Sequence, residues 1–342
     1  MSSVLVAMSG GVDSSVAAAL LRGAGHDVTG VTLKLWGGAS DSGCCSVADV
    51  EDARRVAAQL GIPHYVFDFT DDFHEHVVDP YVDAYSRART PNPCVECNRT
   101  VKFGRLLDRA LAMGFDKIAT GHHARIVTDA EHGPMLYRGA DPAKDQSYVL
   151  YMLGRRELAR ILLPVGELTK RDVRAHAARL GLRTAAKPES MDVCFITRGD
   201  RERFLVQRSS PSPGSIVDTS GARLGTHDGV HGFTIGQRRG LGVAVGERRF
   251  VVDLDAETAT VVLGTRDDLL VDSVRVERAS FSAEAPGPHD DVLAQVRAHG
   301  GPIPGRWSGE TFVYAEPAPR VAPGQVVALY RGPQLLGGGI AA

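Results

Sequence analysis

The stretch Val4-Leu-Val-Ala-Met-Ser-Gly-Gly-Val-Asp-Ser-Ser-Val-Ala-Ala-Ala-Leu-Leu-Arg-Gly-Ala-Gly25 decides the fold. Val4 to Met8 is a short unbroken apolar run, which reads as a strand buried on both faces. Gly10 and Gly11 turn the chain, and an Ala/Leu-rich helix pattern follows until Gly23 and Gly25 stop it. Working outward, the alternation repeats. DVTGVTLKL from Asp27 reads as a second strand, VADVEDARRVAAQLG from Val47 as a helix ending at Gly61, and HYVFDF from His64 as a third strand. A helix with Phe103, Leu107 and Leu111 on one face then leads into the short strand DKIAT at Asp116. Strands separated by helices imply crossover connections and a parallel sheet. The expected fold class is α/β, with a doubly wound parallel-sheet N-terminal domain.

Beyond Ser209-Ser-Pro-Ser-Pro-Gly-Ser215, whose Ser, Pro and Gly content marks a linker, the character changes. Short β-rich runs such as RRFVVDLD, TATVVLG, DVLAQVRA, ETFVYAE and GQVVALY are punctuated by Gly and Pro. Three domains are expected: 1–208, a small β-rich domain over 209–268, and a barrel-like β domain over 269–342. The length of 342 residues, with 43% hydrophobic and 23% charged, suits such a chain and excludes a disordered or collagenous one. Its longest apolar runs, Val16 to Leu21 and Tyr148 to Leu153, fall far short of the roughly 18 residues that cross a bilayer. The N-terminus lacks a basic n-region and a long apolar h-region, so a cytoplasmic, membrane-free protein is expected. Five cysteines form an odd set, unlike a secreted disulfide scaffold, and point to reduced thiols with a chemical or metal role.

The net charge of -2 conceals an uneven distribution. Ala39 to Asp83 holds ten acidic residues against Arg54 and Arg55, whereas Arg87 to Arg125 holds eight basic against three acidic. Arg138 to Arg208 holds fifteen basic against nine acidic. Basic stretches of this kind suit either a polyanion or solvated helix faces.

Ser9-Gly-Gly-Val-Asp-Ser-Ser15 lies between the first strand and the first helix. Two glycines let backbone N–H groups approach a ligand, and the helix N-terminus adds positive potential, so phosphate or pyrophosphate fits there. Ser9, Ser14 and Ser15 offer hydroxyls, and Asp13 could cap the helix or hold a magnesium ion carried by a nucleotide. The lysine pattern GxxxxGK[ST] is absent. At these residues the chain resembles the PP-loop ATP pyrophosphatases, which carry SGGxDS and cleave ATP between its α- and β-phosphates to adenylate a substrate oxygen.

The thiols narrow the chemistry. Thr90-Pro-Asn-Pro-Cys-Val-Glu-Cys-Asn98 sets two cysteines three apart at the start of a basic amphipathic helix, where the helix N-terminus, Arg99 and Lys102 all favour a thiolate at Cys97. Half of a zinc site is the competing reading for Cys94 and Cys97, and an adjacent Cys44-Cys45 pair suits the other half poorly. Cys194, in Met191-Asp-Val-Cys-Phe-Ile196, reads by itself as a core thiol.

A closer resemblance, to the tRNA-specific 2-thiouridylase family, rests on segments spread over nearly the whole chain. They are AMSGGVDSS at Ala7, TPNPxxxCN at Thr90, KFG at Lys102, ATGHHAR at Ala119, KDQSYVLY at Lys144, LPVGELTK at Leu163, DVCFI at Asp192, PG at Pro213, GFTIGQRRGLGV at Gly232, and APGQVVALY with LGGGI near the C-terminus. The family replaces the 2-oxygen of the wobble uridine in certain tRNAs by sulfur. The resemblance implies that Ala7, Met8, Ser9, Gly10, Gly11, Val12, Asp13, Ser14, Leu33 and Gly121 contact ATP. It makes Cys97 the nucleophile and Cys194 the persulfide carrier. Asn92, Pro93 and Cys94 would face the target base, and His122, Lys144, Asp145, Gln146, Arg297 and Gln325 would touch tRNA. Family members often carry Asp where this chain has Cys94, so a carboxylate near the base is missing here.

The implied cofactors are ATP with Mg2+, and no resident metal is assigned. The implied partners are tRNA and a persulfide donor such as a cysteine desulfurase or relay protein, acting on a monomer. Two rivals stand beside this reading. One is a PP-loop amide-forming synthetase. The other is an iron-sulfur or zinc variant that uses Cys94, Cys97 and Cys194 as ligands.

Overall fold

Val4, Leu5 and Val6 are fully buried, and they form the centre of strand β1 (Ser3–Ala7), the middle strand of a five-stranded sheet. On one side β1 pairs with β2 (Asp27–Lys34), which pairs with β3 (His64–Asp68); on the other it pairs with β4 (Lys117–Ala119). A hairpin, β5 (Ala124–Asp129) and β6 (Gly133–Arg138), precedes β7 (Ile161–Leu162), which closes that side beside β4. Every pairing in the five-stranded sheet is parallel. The computed structural model describes residues 1–36, 46–188, 193–196, 199–209, 211–243, 246–282, 284–298 and 300–342. Cys44 and Cys45 lie outside the described residues, as do Met191 and Asp192.

The helices expected from the pattern are present as α1 (Val12–Gly23) and α2 (Val47–Leu60). α1 buries Val12, Val16, Ala17 and Leu21 against the sheet, and α2 is capped by Ser46, whose hydroxyl accepts from the Asp49 N–H at 3.1 Å. A later helix, α3 (Lys170–Arg179), starts with a capping box between Thr169 and Asp172 and packs on α1. The chain runs outward from β1 through β2 to β3 and then returns to β1's other side. The loops after β1 and β4 therefore meet at the switch point, where ligands of open α/β sheets bind.

The β-rich remainder forms two further units. β8 (Gly214–Asp218), β9 (Arg223–His227), β10 (Phe250–Asp255) and β11 (Thr260–Gly264) make a four-stranded sheet in the order β10-β11-β8-β9. β12 (Leu270–Phe281), β13 (Asp291–Gln295), β14 (Ile303–Ser308), β15 (Thr311–Pro319), β16 (Val326–Arg331) and β17 (Gln334–Ala341) form a barrel closed by β12 pairing with both β15 and β17. Closure removes the exposed edges that a six-stranded sheet would leave. The sequence pattern pointed to a barrel-like domain here but not to one attachment. The β5–β6 hairpin of the parallel-sheet domain extends the barrel sheet, with Leu136 opposite Leu335 and Tyr137 opposite Gln334.

Candidate active site

The phosphate loop is built where β1 ends. Gly10 has φ of 71°, and a Cβ there would stand 2.3 Å from the Asp49 carbonyl oxygen, so both conformation and space require glycine. Gly121, after β4, packs so closely that a Cβ would lie 2.6 Å from the Ser14 nitrogen. This contact brings the two switch-point loops together. Gly11 is the N-cap of α1 and receives no side-chain cap, so Asp13 does not cap the helix. The Asp13 carboxylate instead accepts from Lys170 Nζ at 2.7 and 2.8 Å and pairs with His123 Nε2 at 3.1 Å. Burial would push its carboxyl up, but the hydrogen bonds from His123 and Lys170 and the charge of Lys170 hold it below the usual range.

The serines are placed differently from the expectation that all three reach a phosphate. Ser15 is fully buried and its hydroxyl donates to the Gly11 carbonyl at 2.8 Å, which turns it away from any ligand. Ser14 donates to the same carbonyl at 3.2 Å while its oxygen accepts the Ser9 N–H at 3.1 Å. Ser14 thus shapes the loop, and Ser9, the exposed one, keeps its side chain at the mouth. Met8 and Leu33 are buried, and Ala7 and Val12 flank the loop at the end of β1 and the start of α1.

Three further residues meet at this loop. Lys170 stands at the first position of α3 and reaches Asp13 across the domain. His123 is buried at the same carboxylate, with Nε2 3.1 Å from Asp13. Lys187 donates to the Gly10 carbonyl at 3.0 Å, to Asp49 at 2.6 Å and to Asp52 at 2.7 Å, and Arg183 also pairs with Asp52, at 3.0 Å. Burial opposes its charge, yet the two carboxylates hold the Lys187 ammonium above its ordinary pKa. The sequence signal for Lys170 lay in LPVGELTK, but nothing in its spacing indicated a partner more than a hundred residues away.

The thiol turn begins at Asn92, whose side-chain oxygen accepts from the Cys94 N–H at 3.1 Å and caps the short helix Pro93–Glu96. A wider, π-type helix, Cys97–Arg105, continues it, a geometry frequent at functional sites. Cys97 therefore sits one turn in from the helix start and is 5% exposed. The cation expected to favour its thiolate is partly matched, because Arg99 lies 3.6 Å from Glu96 and donates to the Tyr151 hydroxyl at 3.0 Å. Pro93 is buried, and Cys94 is half-buried. Cys94, Cys97 and Cys194 all border one hydrophobic core. Phe195 anchors the Cys194 segment there, with its ring 5.5 Å from those of Tyr81, Phe73 and Phe204. Burial, then Tyr85, then Cys94 push the Tyr81 hydroxyl above its ordinary pKa, so one tyrosine borders both thiol segments.

The expected RNA contacts divide. His122 is buried, its Nδ1 lies 2.6 Å from Thr120 Oγ1, and burial and the charge of Lys102 keep its imidazole well below the usual pKa and hence neutral. Asp145 is buried, accepting from the Gly139 N–H at 3.0 Å, from Ser147 and from Arg138 Nη1 at 2.9 Å, and these bonds hold its loop. Gln146 is exposed, though its side chain also accepts the His123 N–H at 2.9 Å. Lys144 is half-buried and Arg297 is exposed. Gln325 donates to the Thr90 carbonyl at 2.6 Å. Among the described residues, no three His, Cys, Asp or Glu side chains form a group that could hold a metal ion. The three cysteines thus do not fit an iron-sulfur or zinc site, whereas Asp13 fits a magnesium ion arriving on a nucleotide, since Mg2+ takes one or two carboxylates plus phosphate oxygens. No helix among the described residues is long and apolar enough to cross a membrane.

Three family models match consecutive parts of the chain: a tRNA methyl transferase HUP domain over 2–198, a tRNA methyl transferase PRC-barrel domain over 202–265, and an aminomethyltransferase beta-barrel domain over 271–341. The full-length relatives carry a different name. The tRNA-specific 2-thiouridylase MnmA of Chloroflexus aurantiacus is 48% identical, covering 99% of this chain and 98% of the relative. The proteins of that name from Roseiflexus castenholzii and Mycolicibacterium smegmatis are 46% identical (99% of each chain) and 50% identical (96% and 95%). Among solved structures, NMN synthetase from Francisella tularensis is similar at a TM-score of 0.36 and 17% identity, over 59% of this chain and 71% of that one, too loose a likeness to argue from. On its end-to-end identity with these relatives, the chain belongs to the tRNA-specific 2-thiouridylase family.

Proposed function

We propose that this chain is an ATP-dependent tRNA 2-thiolating enzyme that adenylates the 2-oxygen of a wobble uridine and replaces it by sulfur. The observation that carries the reading is that one parallel-sheet domain holds both a phosphate loop, at Gly10–Ser14 beneath Lys170, and two thiol segments drawn to one core. The names of its full-length relatives support it. A carbonyl oxygen of uracil is a poor leaving group, so activation must come first. The uracil 2-oxygen attacks the α-phosphate of ATP, and pyrophosphate departs through the loop formed by Gly10 and Gly11. N–H groups at the start of α1, with Lys170, stabilise the charge on the departing phosphates. Lys170 meanwhile exchanges part of its contact with Asp13 for the nucleotide and its magnesium ion.

Sulfur then displaces AMP. A donor protein of the persulfide class loads Cys194 as Cys194–S–SH. The Cys97 thiolate attacks the inner sulfur, forming a Cys97–Cys194 disulfide and releasing hydrosulfide, which adds to C2 and expels AMP. Direct attack by the outer persulfide sulfur on C2, followed by attack of Cys97 on Cys194, gives the same products. Either route oxidises the two cysteines by two electrons, and a thiol reductant restores them. Asn92 and Cys94 flank the flipped-out base, and Lys144, Gln146 and Arg297 grip phosphates of the anticodon loop.

The test is incubation of purified protein with unmodified tRNA, magnesium-ATP and a persulfide donor (a cysteine desulfurase with cysteine), followed by mass spectrometry of digested nucleosides. Thiouridine formed by the wild type and lost in Cys97→Ser supports the reading. AMP release that depends on a carboxylate substrate and survives Cys97→Ser and Cys194→Ser identifies an amide-forming synthetase instead.

A further inference from the structure

The residues that lead into the thiol turn are held from the C-terminal barrel. The Thr90 N–H donates to the Pro323 carbonyl at 2.7 Å, and Gln325 Nε2 donates to the Thr90 carbonyl at 2.6 Å, so both polar backbone groups of Thr90 are taken by the turn before β16. The guanidinium of Arg89 pairs with Glu277 on β12 and donates to the Ala341 carbonyl at the end of β17 at 3.2 Å. Farther along, Arg278 Nη1 lies 3.2 Å from Glu96 Oε1, on the residue that precedes Cys97.

Arg278 makes this contact from an unusual backbone. Its φ is 53°, in the left-handed region that is costly for a residue with a side chain, and β12 shifts register against β17 between Glu277 and Ser280. The bulge thereby turns the guanidinium out of the barrel and onto the thiol turn. Strain of this kind persists only where surrounding contacts over-determine it, and here they lead to Glu96.

The helix Pro93–Glu96 is the first turn of a helical stretch that runs on through Arg105, and a first turn, whose N–H groups lack helical partners, is the part that frays unless it is held from outside. Pro91 and Pro93 restrict the backbone on either side of Asn92, so a displacement at Thr90 passes stiffly to the cap and from there to Cys94 and Cys97. Three separate parts of the barrel (the β12 bulge, the turn before β16 and the end of β17) converge on the stretch 89–96.

We propose that the C-terminal barrel positions the thiol turn, with Gln325 and Arg278 as positioning residues for Cys97. This gives Gln325 a role that operates without RNA. The inference rests on the proposed function only in taking Cys97 as the nucleophile, and its main readout needs neither tRNA nor ATP.

The experiment compares the full chain with Gln325→Glu, which keeps the shape but removes the donor, and Arg278→Gly, which suits the left-handed backbone. Alkylation by iodoacetamide is followed at Cys97 without RNA, with Cys194 as the reference in the same digest. Loss of one tie frees the buried Cys97, and its alkylation rises by about fivefold or more in each variant, while Cys194 stays within about twofold. In turnover, kcat falls with the KM for tRNA unchanged. An unchanged Cys97 rate in both variants overturns the proposal, and so does equal acceleration at Cys97 and Cys194, which reports general loosening. A raised KM for tRNA at unchanged kcat reduces Gln325 and Arg278 to RNA contacts. A wild type that makes no thiouridine refutes the function while the alkylation rates still decide this inference.

Discussion

The phosphate loop draws its rigidity from neighbours inside the parallel-sheet domain, whereas the thiol turn is gripped from the barrel at the other end of the chain. Gly10 touches Asp49, Gly121 touches Ser14, and Lys187 ties Gly10 to α2, all within the first 188 residues. Thr90, Arg89 and Glu96, by contrast, lean on Pro323, Gln325, Glu277 and Arg278. On the proposed reading, activation of the base oxygen and presentation of the thiol are separable: the first belongs to one domain, and the second depends on how the barrel is seated against it.

The sharpest way to break this comparison is to damage each region and read the other. Cys97→Ser should lower thiolation on the order of 10³-fold or more while ATP binding stays intact, measured by nucleoside mass spectrometry beside nucleotide titration. Gly10→Ala meets a carbonyl at 2.3 Å in a left-handed conformation, and ATP binding should be lost while the alkylation rate of Cys97 is unchanged. Coupled changes would show that the two regions are one.

A smaller effect is expected at Lys170→Met. Removing the ammonium leaves Asp13 with His123 as its remaining described partner, and the KM for ATP should rise roughly 10- to 100-fold, about 1.4 kcal/mol per tenfold. A KM within twofold of wild type would remove Lys170 from the nucleotide site. Lys187→Met acts one step farther away, through the Gly10 carbonyl, and should raise the same KM by roughly tenfold or less.

The smallest effect concerns pH. Burial keeps the folded pKa of His122 well below its unfolded value of 6.5, so the unfolded chain binds the extra proton first. Stability is therefore fully present above that value and falls as pH drops below 6.5, by at most about 1.4 kcal/mol per pH unit from this group. Depressed carboxylates such as Asp13 add loss of the same sign at lower pH. Denaturant midpoints of wild type and His122→Gln between pH 7 and 5 should separate the two, with the variant showing the shallower decline.

The parallel sheet was legible because it is written locally. A strand buried on both faces must be apolar throughout, and a crossover helix must carry one apolar stripe, so Val4–Met8, Val47–Leu60 and Phe103–Leu111 could each be read from their own neighbours. The phosphate loop was legible for the same reason, since its glycines, Asp13 and Ser14 are consecutive. The inward turn of Ser15 and Asp145 was not, because hydrogen-bond partners such as the Gly11 carbonyl and Arg138 depend on where the backbone goes. The β5–β6 hairpin was missed because its sheet partner, Gln334–Leu335, lies almost two hundred residues away.

The sequence by itself determined the alternation of strands and helices, the glycine loop at the end of β1 and the presence of thiols in two distant segments, since each follows from residues within a few positions of one another. Only the tertiary structure decided that Lys170 and His123 share Asp13, that Lys187 meets Gly10, and that Arg278 and Gln325 hold the turn carrying Cys97. The reason is physical. Apolar periodicity and turn geometry are local constraints, whereas a charge or an amide chooses its partner only after folding has brought distant segments within hydrogen-bond reach and excluded the water that would otherwise satisfy it.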